Sequence, residues 1–166
     1  NPTYAEEYLS HTMSIGEIEA FYPLQYEQKQ TRSWTPDDPL YGDQWHLDNT
    51  GQNNGTIGED VNITSAWENY TGLGTHITIV DDGLQSNHPD LSPHFSLTES
   101  WDWCYNVNDP SPWGDNAHGT AAAGVAAAAG NNSIAGLGAA HQATLSGQLL
   151  IACGTSDAME AGALSA

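Results

Sequence analysis

The chain of 166 residues carries 21 carboxylate side chains against one lysine and one arginine, a formal net charge of −19. Nucleic-acid binding draws on many Lys and Arg contacts to phosphate, so that partner class is excluded, and no run approaches the roughly 20 apolar residues that span a bilayer. With 39% apolar residues, six tryptophans and seven tyrosines, the chain has material for one packed domain; its acid excess suits either a surface for salty water or sites for hard cations such as calcium.

Residues 1–32 hold a short helical pattern around AEEYLSH and an alternating stretch, IGEIEAFYPL, that suits a half-buried strand. The start has neither the charged region nor the apolar region of a secretory signal, so either a leader has been removed or the chain is cytosolic. The texture changes at TRSWTPDDPLYGD, rich in Pro, Asp and Gly, which places a boundary at 32/33 and an exposed connection after it. A loop-rich segment, QWHLDNTGQNNGTIGEDVN, follows.

From there the pattern is α/β. THITIVDDG is a short apolar run that ends abruptly in acids and Gly, as a buried parallel strand does at its carboxyl end, where ligands bind in such sheets. HGTAAAGVAAAAG reads as a buried helix ending at a glycine cap, Gly130. ATLSGQLLI reads as the next strand and SDAMEAGALSA as the next helix. No internal repeat is present, and Cys104 and Cys153 could pair with each other, pair elsewhere or stay free.

Asp81 falls where the apolar strand stops, and His118 opens a helix. An acid and an imidazole on separate elements are two of the three parts that activate a serine, the imidazole taking the hydroxyl proton and the carboxylate fixing its tautomer. Spacing alone leaves an alternative open, a capping Asp and a helix-start His with no joint role.

ITIVDDGLQSNHPDL together with HGTAAAGVAAAAGNNSIAGLGAA closely resembles the Asp and His regions of the subtilisin-like serine proteases, from about Asp38 to the end of the chain. The doubled acid of DDG and the opening DPLYGDQWHL resemble the kexin and furin branch, the proprotein convertases. The resemblance implies an α/β fold, the N-terminal half of a three-layer subtilisin-like domain with a mainly parallel sheet over residues 33–166, preceded in 1–32 by the tail of a propeptide. It implies Asp81 as the orienting acid, His118 as the general base, and Asp82 and Asp115 facing basic side chains of a protein or peptide substrate, the alternative for Asp82 being a solvated or capping acid. Ala117 departs from the pattern, standing where an Arg is common.

GTSDA at 154–158 looks like part of the family's nucleophile motif, but Ser156 lies only 38 positions after His118 and the usual following Pro is missing. It reads better as an N-cap, with Asp157 in the first helical turn. The expectation is therefore a fragment that lacks the nucleophile and is inactive alone.

The resemblance also implies a calcium site, Ca2+ being held by Asp38, Asp90, the Asn132 side chain and the carbonyls of Ala129, Ile134 and Gly136, a mix of carboxylate and carbonyl oxygens that suits this ion. Asp102 and Asp109 resemble acids of a second site, but two extra residues and Ser111 in place of an acid depart from it. A zinc site from His88, His94 and His118 has no motif spacing behind it. Sequons at Asn54, Asn62, Asn69 and Asn131 arise readily in an Asn- and Thr-rich chain, and no glycosylation follows from them alone.

The combined expectation is a secreted convertase-type serine endopeptidase with no membrane segment. Its own propeptide would be a partner, and cleavage would fall after Arg32 in Lys-Gln-Thr-Arg. The rival is a non-catalytic, calcium-stabilised module on the same scaffold.

Overall fold

The computed structural model describes residues 34–165, all within one compact unit, Arg32–Ala166. The helix and strand expected before residue 33, and the Arg32–Ser33 junction, lie outside the described residues. Among those described, no helix is long and apolar enough to cross a membrane.

The architecture is α/β. Strand β1 (His76–Asp81) precedes β2 (Trp101–Asp102), helix α1 (His118–Ala127), β3 (Thr144–Leu149) and helix α2 (Asp157–Leu164). Both β1 and β2 pair parallel to β3, giving the order β1-β3-β2. Being central, β3 is buried from Leu145 to Leu149, and its polar residues are matched. Gln148 donates to the Glu99 carbonyl at 2.9 Å and accepts from Trp103 Nε1 at 2.7 Å. Such pairing is what allows an amide to sit in a core.

Helix α1 packs against this sheet through Ala123 and Ala127, with Leu84, Leu91, Ala143 and Leu145 completing the cluster. Small side chains let helix and sheet approach closely. A second cluster, Leu47, Trp67 and Leu137 with Trp34, Tyr41 and Ile63 against it, supports the loop-rich segment before β1.

Two expectations change and one strand is added. Helix α1 stops at Ala127, because Ala128 turns to φ −55°, ψ 140° and Gly130 takes no part in the cap. Gly130 instead lies against the His141 ring, where an added Cβ would come within 3.2 Å. Strand β2 was hidden in SWDWCY, and β3 is shorter at both ends than ATLSGQLLI. Helix α2 begins as expected, Ser156 Oγ accepting from Met159 N at 3.4 Å.

Cys104 and Cys153 form a disulfide across 49 positions, joining the turn after β2 to the loop after β3. The loop is also held on the β1 side, where the Leu150 and Ile151 amides donate to the Asp81 carbonyl at 2.9 and 3.2 Å.

Candidate active site

Asp81 is the last residue of β1 and His118 the first of α1, and the fold brings them together. His118 Nδ1 lies 2.8 Å from Asp81 Oδ2, and Asp81 Oδ1 accepts from the Asp82 amide at 2.7 Å. The carboxylate is therefore gripped on both oxygens. Its side chain is only 12% exposed, whereas that of His118 is 80% exposed. In the neutral ring this bond keeps the proton on Nδ1, so Nε2 presents its lone pair to solvent as a base.

Asp82 acts as a helix cap. Its carboxylate accepts from the amides of His118 at 3.2 Å and Gly119 at 2.8 Å, capping α1 in place of Ala117, which has no side chain for it. A negative charge there complements the helix dipole. Gly119 makes the approach possible: a Cβ would strike the Gly83 carbonyl oxygen and lie 2.8 Å from Asp81 Cβ. Asp115 is exposed in the turn before α1, which Asn116 N closes on the Trp113 carbonyl at 3.1 Å.

The hydrogen bond and charge of Asp81, with the charge of Asp82 adding, raise the His118 pKa above its ordinary value; its small desolvation opposes them. A raised histidine pKa favours the folded state below the unfolded value, and that contribution is lost as pH rises through the folded value. The base form is accordingly reached at higher pH than for a free imidazole. Titration of His118 by NMR in Asp81→Asn should show a lower midpoint than in the parent chain; an unchanged midpoint would disconnect the two groups.

Two serines invite the part of nucleophile, and neither fits it. Ser156 caps α2. Ser146 Oγ lies 2.9 Å from His76 Nε2, whose Nδ1 is 3.4 Å from Glu99, which imitates a Ser-His-acid relay. Ser146 is fully buried on β3, however, and no substrate carbonyl can reach it.

Three of the expected calcium ligands, Asp38, Asp90 and Asn132, are neighbours. Asp38 and Asp90 are both buried. Asp38 Oδ2 accepts from Asn131 N at 2.8 Å, while its Oδ1 is buried with no partner. Asn132 donates its amide nitrogen to Asp90 Oδ1 at 2.7 Å. Burial pushes the Asp90 pKa up, and the nearby Asp38 charge adds to this, against the Asn132 amide, His88 and the Gly136 amide. Among the described residues, the carbonyls of Ala129, Ile134 and Gly136 accept no hydrogen bond, whereas Ala135 between them accepts from Leu40 N at 2.7 Å. An orphaned carboxylate oxygen and three unused carbonyls suit an oxygen-seeking cation. Only two of these ligands are acidic, and among the described residues no group of three or more His, Cys, Asp or Glu is placed to hold a metal.

The weaker site does not assemble in this way. Asp102 Oδ1 accepts from the Cys104 and Tyr105 amides at 2.7 and 2.9 Å, and Asp109 Oδ1 from Ser111 N at 3.1 Å. Both acids fix local turns. His88 does likewise, its Nδ1 accepting from Asp90 N at 3.2 Å.

Comparison with known proteins extends this picture. The sequence profile of the subtilase family matches residues 72–165. PC3-like endoprotease variant B of Hydra vulgaris is 43% identical over 141 residues, covering 82% of this chain and 20% of the relative. Human neuroendocrine convertase 2 is 44% identical over 117 residues, covering 66% of this chain and 18% of its own, and furin-like protease 2 of Drosophila melanogaster is 42% identical over 131, covering 77% and 8%. The chain thus spans a fifth or less of the length of these relatives. Among solved structures, the serine protease of Aeromonas sobria, in complex with the chaperone ORF2, superposes with a TM-score of 0.69 at 30% identity, covering 85% of this chain and 24% of that one.

Proposed function

We infer that Asp81 and His118 are the orienting acid and general base of a serine endopeptidase, from the premise that the chain belongs to the subtilase family, in its kexin/furin-type convertase branch. The observation that carries the reading is the 2.8 Å bond from His118 Nδ1 to an Asp81 carboxylate already held by a backbone amide. Nε2 takes the proton of a serine supplied from outside residues 1–166 as its oxygen attacks the peptide carbonyl. The imidazolium returns that proton to the leaving amine, and water repeats the sequence on the acyl-enzyme.

The preferred substrate is a peptide with a basic residue before the scissile bond. Asp82 stands beside His118, and although each of its oxygens accepts one helix amide, each keeps a second lone pair for a guanidinium. Asp115 adds a second exposed acid in the adjoining turn. The same preference applies to the protein's own propeptide, so cleavage falls between Arg32 and Ser33. The Aeromonas protease, solved in complex with a chaperone, supports a folding partner for this protein as well. The Cys104–Cys153 bond supports a route through an oxidising, secretory compartment.

N-terminal sequencing of the full-length secreted protein tests the specificity. It should begin at Ser33, and Arg32→Ala should block that processing; processing unaffected by Arg32→Ala would remove preference for basic residues from the account.

Calcium fits the Asp38 and Asp90 region. The two carboxylates, the Asn132 side chain and the carbonyls of Ala129, Ile134 and Gly136 would hold it, the Asn132 Oδ1, which accepts from Ile134 N at 2.9 Å, having a second lone pair to offer. The ion would tie the segment before β1 to the loop after α1 and neutralise two buried acids. Binding to the folded state alone adds about 2.7 kcal/mol at a hundredfold excess over the dissociation constant. Melting of the full-length protein should therefore rise with calcium and fall with chelator, and Asp90→Asn should blunt the response. Melting indifferent to both would refute the site.

A further inference from the structure

The segment between β1 and the Asp38 region exposes an unusual run of large apolar side chains. Ile57 is 76% exposed, Val61 61%, Tyr70 76% and Leu73 78%. Scattered apolar residues on a surface are ordinary, but these fall within residues 57–73, a segment that also packs Ile63 and Trp67 inward. Three of them lie within three positions of an Asn-X-Thr acceptor: Asn54 before Ile57, Asn62 after Val61 and Asn69 before Tyr70.

All three asparagines are exposed, and Asn54 and Asn62 stand on left-handed turns with φ of 61° and 52° that carry their side chains on tight loop tips. Among the described residues, none of their side-chain amides enters a hydrogen bond. Asn131 differs. Its Oδ1 accepts from Asp37 N at 3.1 Å, so its side chain is engaged, and its backbone N–H donates to Asp38 in the loop that serves the calcium ligands.

We propose that Asn54, Asn62 and Asn69 carry N-linked glycans that cover this apolar lobe, and that Asn131 does not. In the transfer, C1 of the first sugar leaves the diphosphate oxygen of a lipid-linked oligosaccharide and bonds to Asn Nδ2. The amide loses one proton and the lipid diphosphate departs. Sugar rings offer apolar C–H faces that pack on Tyr70, Ile57 and Val61 while their hydroxyls face water. The lobe stands clear of the chemistry: Gln142 N binds the Thr71 carbonyl at 2.9 Å near the amino end of β3, whereas Asp81 and His118 meet at the carboxyl end of the parallel strand β1.

The inference rests on the secretory route proposed above. Full-length protein secreted from a eukaryotic host is digested, its glycans are released enzymatically in heavy-oxygen water, and each asparagine is read by mass spectrometry. Occupancy at Asn54, Asn62 and Asn69 with Asn131 bare is the expected result, and enzymatic removal from intact protein should then increase binding of an apolar dye severalfold. Secreted protein with any of the three bare, a modified Asn131, or dye binding unchanged by removal overturns the inference and leaves the secretory reading standing. Retention of the protein in the cytosol overturns both.

Discussion

Asp81→Asn in the full-length protein should lower kcat by about 10⁴-fold with little change in KM. An amide in this place can still accept from the Asp82 amide through its oxygen, so the end of β1 should keep its shape. What changes is the partner of His118. The NH₂ of the introduced side chain would face Nδ1 as a donor, drawing the ring to the tautomer with its proton on Nε2, where it cannot accept one from serine. Loss of the carboxylate charge also leaves the imidazolium unsupported in the transition state. His118→Ala should cost at least as much. Activity within tenfold of the parent in either variant would show that the pair is structural.

The second large effect concerns stability. Replacing Cys104 and Cys153 together by Ser should destabilise the domain by about 4 kcal/mol, because the bond closes 49 positions of chain and its removal restores that freedom to the unfolded state. Against a typical total of about 5–15 kcal/mol, this is a large share. Local geometry should survive, since Trp103 N still bonds the Leu149 carbonyl at 2.9 Å and Asp102 still holds the turn. The denaturation midpoint should therefore drop sharply while the His118 titration stays put. A midpoint shifted by less than the equivalent of about 1 kcal/mol would contradict this account of the bond.

Much of the site could be read from local sequence. The arrest of an apolar run at Asp81 marks a strand end, and the alanines after His118 mark a buried helix; both are short-range signals. Ser156 as a cap follows from its neighbours in the same way. What stayed hidden depends on contacts across long stretches of chain. Asp82 offers itself in sequence as an acid for substrate or as a cap, and only the fold shows which helix it caps, its carboxylate taking the first amides of α1 from 36 and 37 positions away. Gly119 is an unfavourable helix residue by propensity, and only the nearness of Gly83 and Asp81 explains it. Strand β2, two residues long and lacking any alternation, owes its existence to β3. The disulfide could not be assigned from a count of two.

Gly130 shows the opposite error, a sound local rule overridden by packing. A glycine after an alanine run is a good helix stop, yet α1 turns away at Ala128, whose amide still closes on the Gly124 carbonyl at 3.1 Å. The chain then leads into the loop that meets Asp90 through the Asn132 side chain, and Gly130 serves by leaving room for His141.

The central claim, that Asp81 and His118 activate a serine, is tested most directly by a serine-directed phosphonate probe on the full-length protein. The account predicts stoichiometric labelling of one serine other than Ser146 or Ser156, lost in His118→Ala. Labelling at Ser156, labelling that survives His118→Ala, or none at all in folded, processed protein would contradict it.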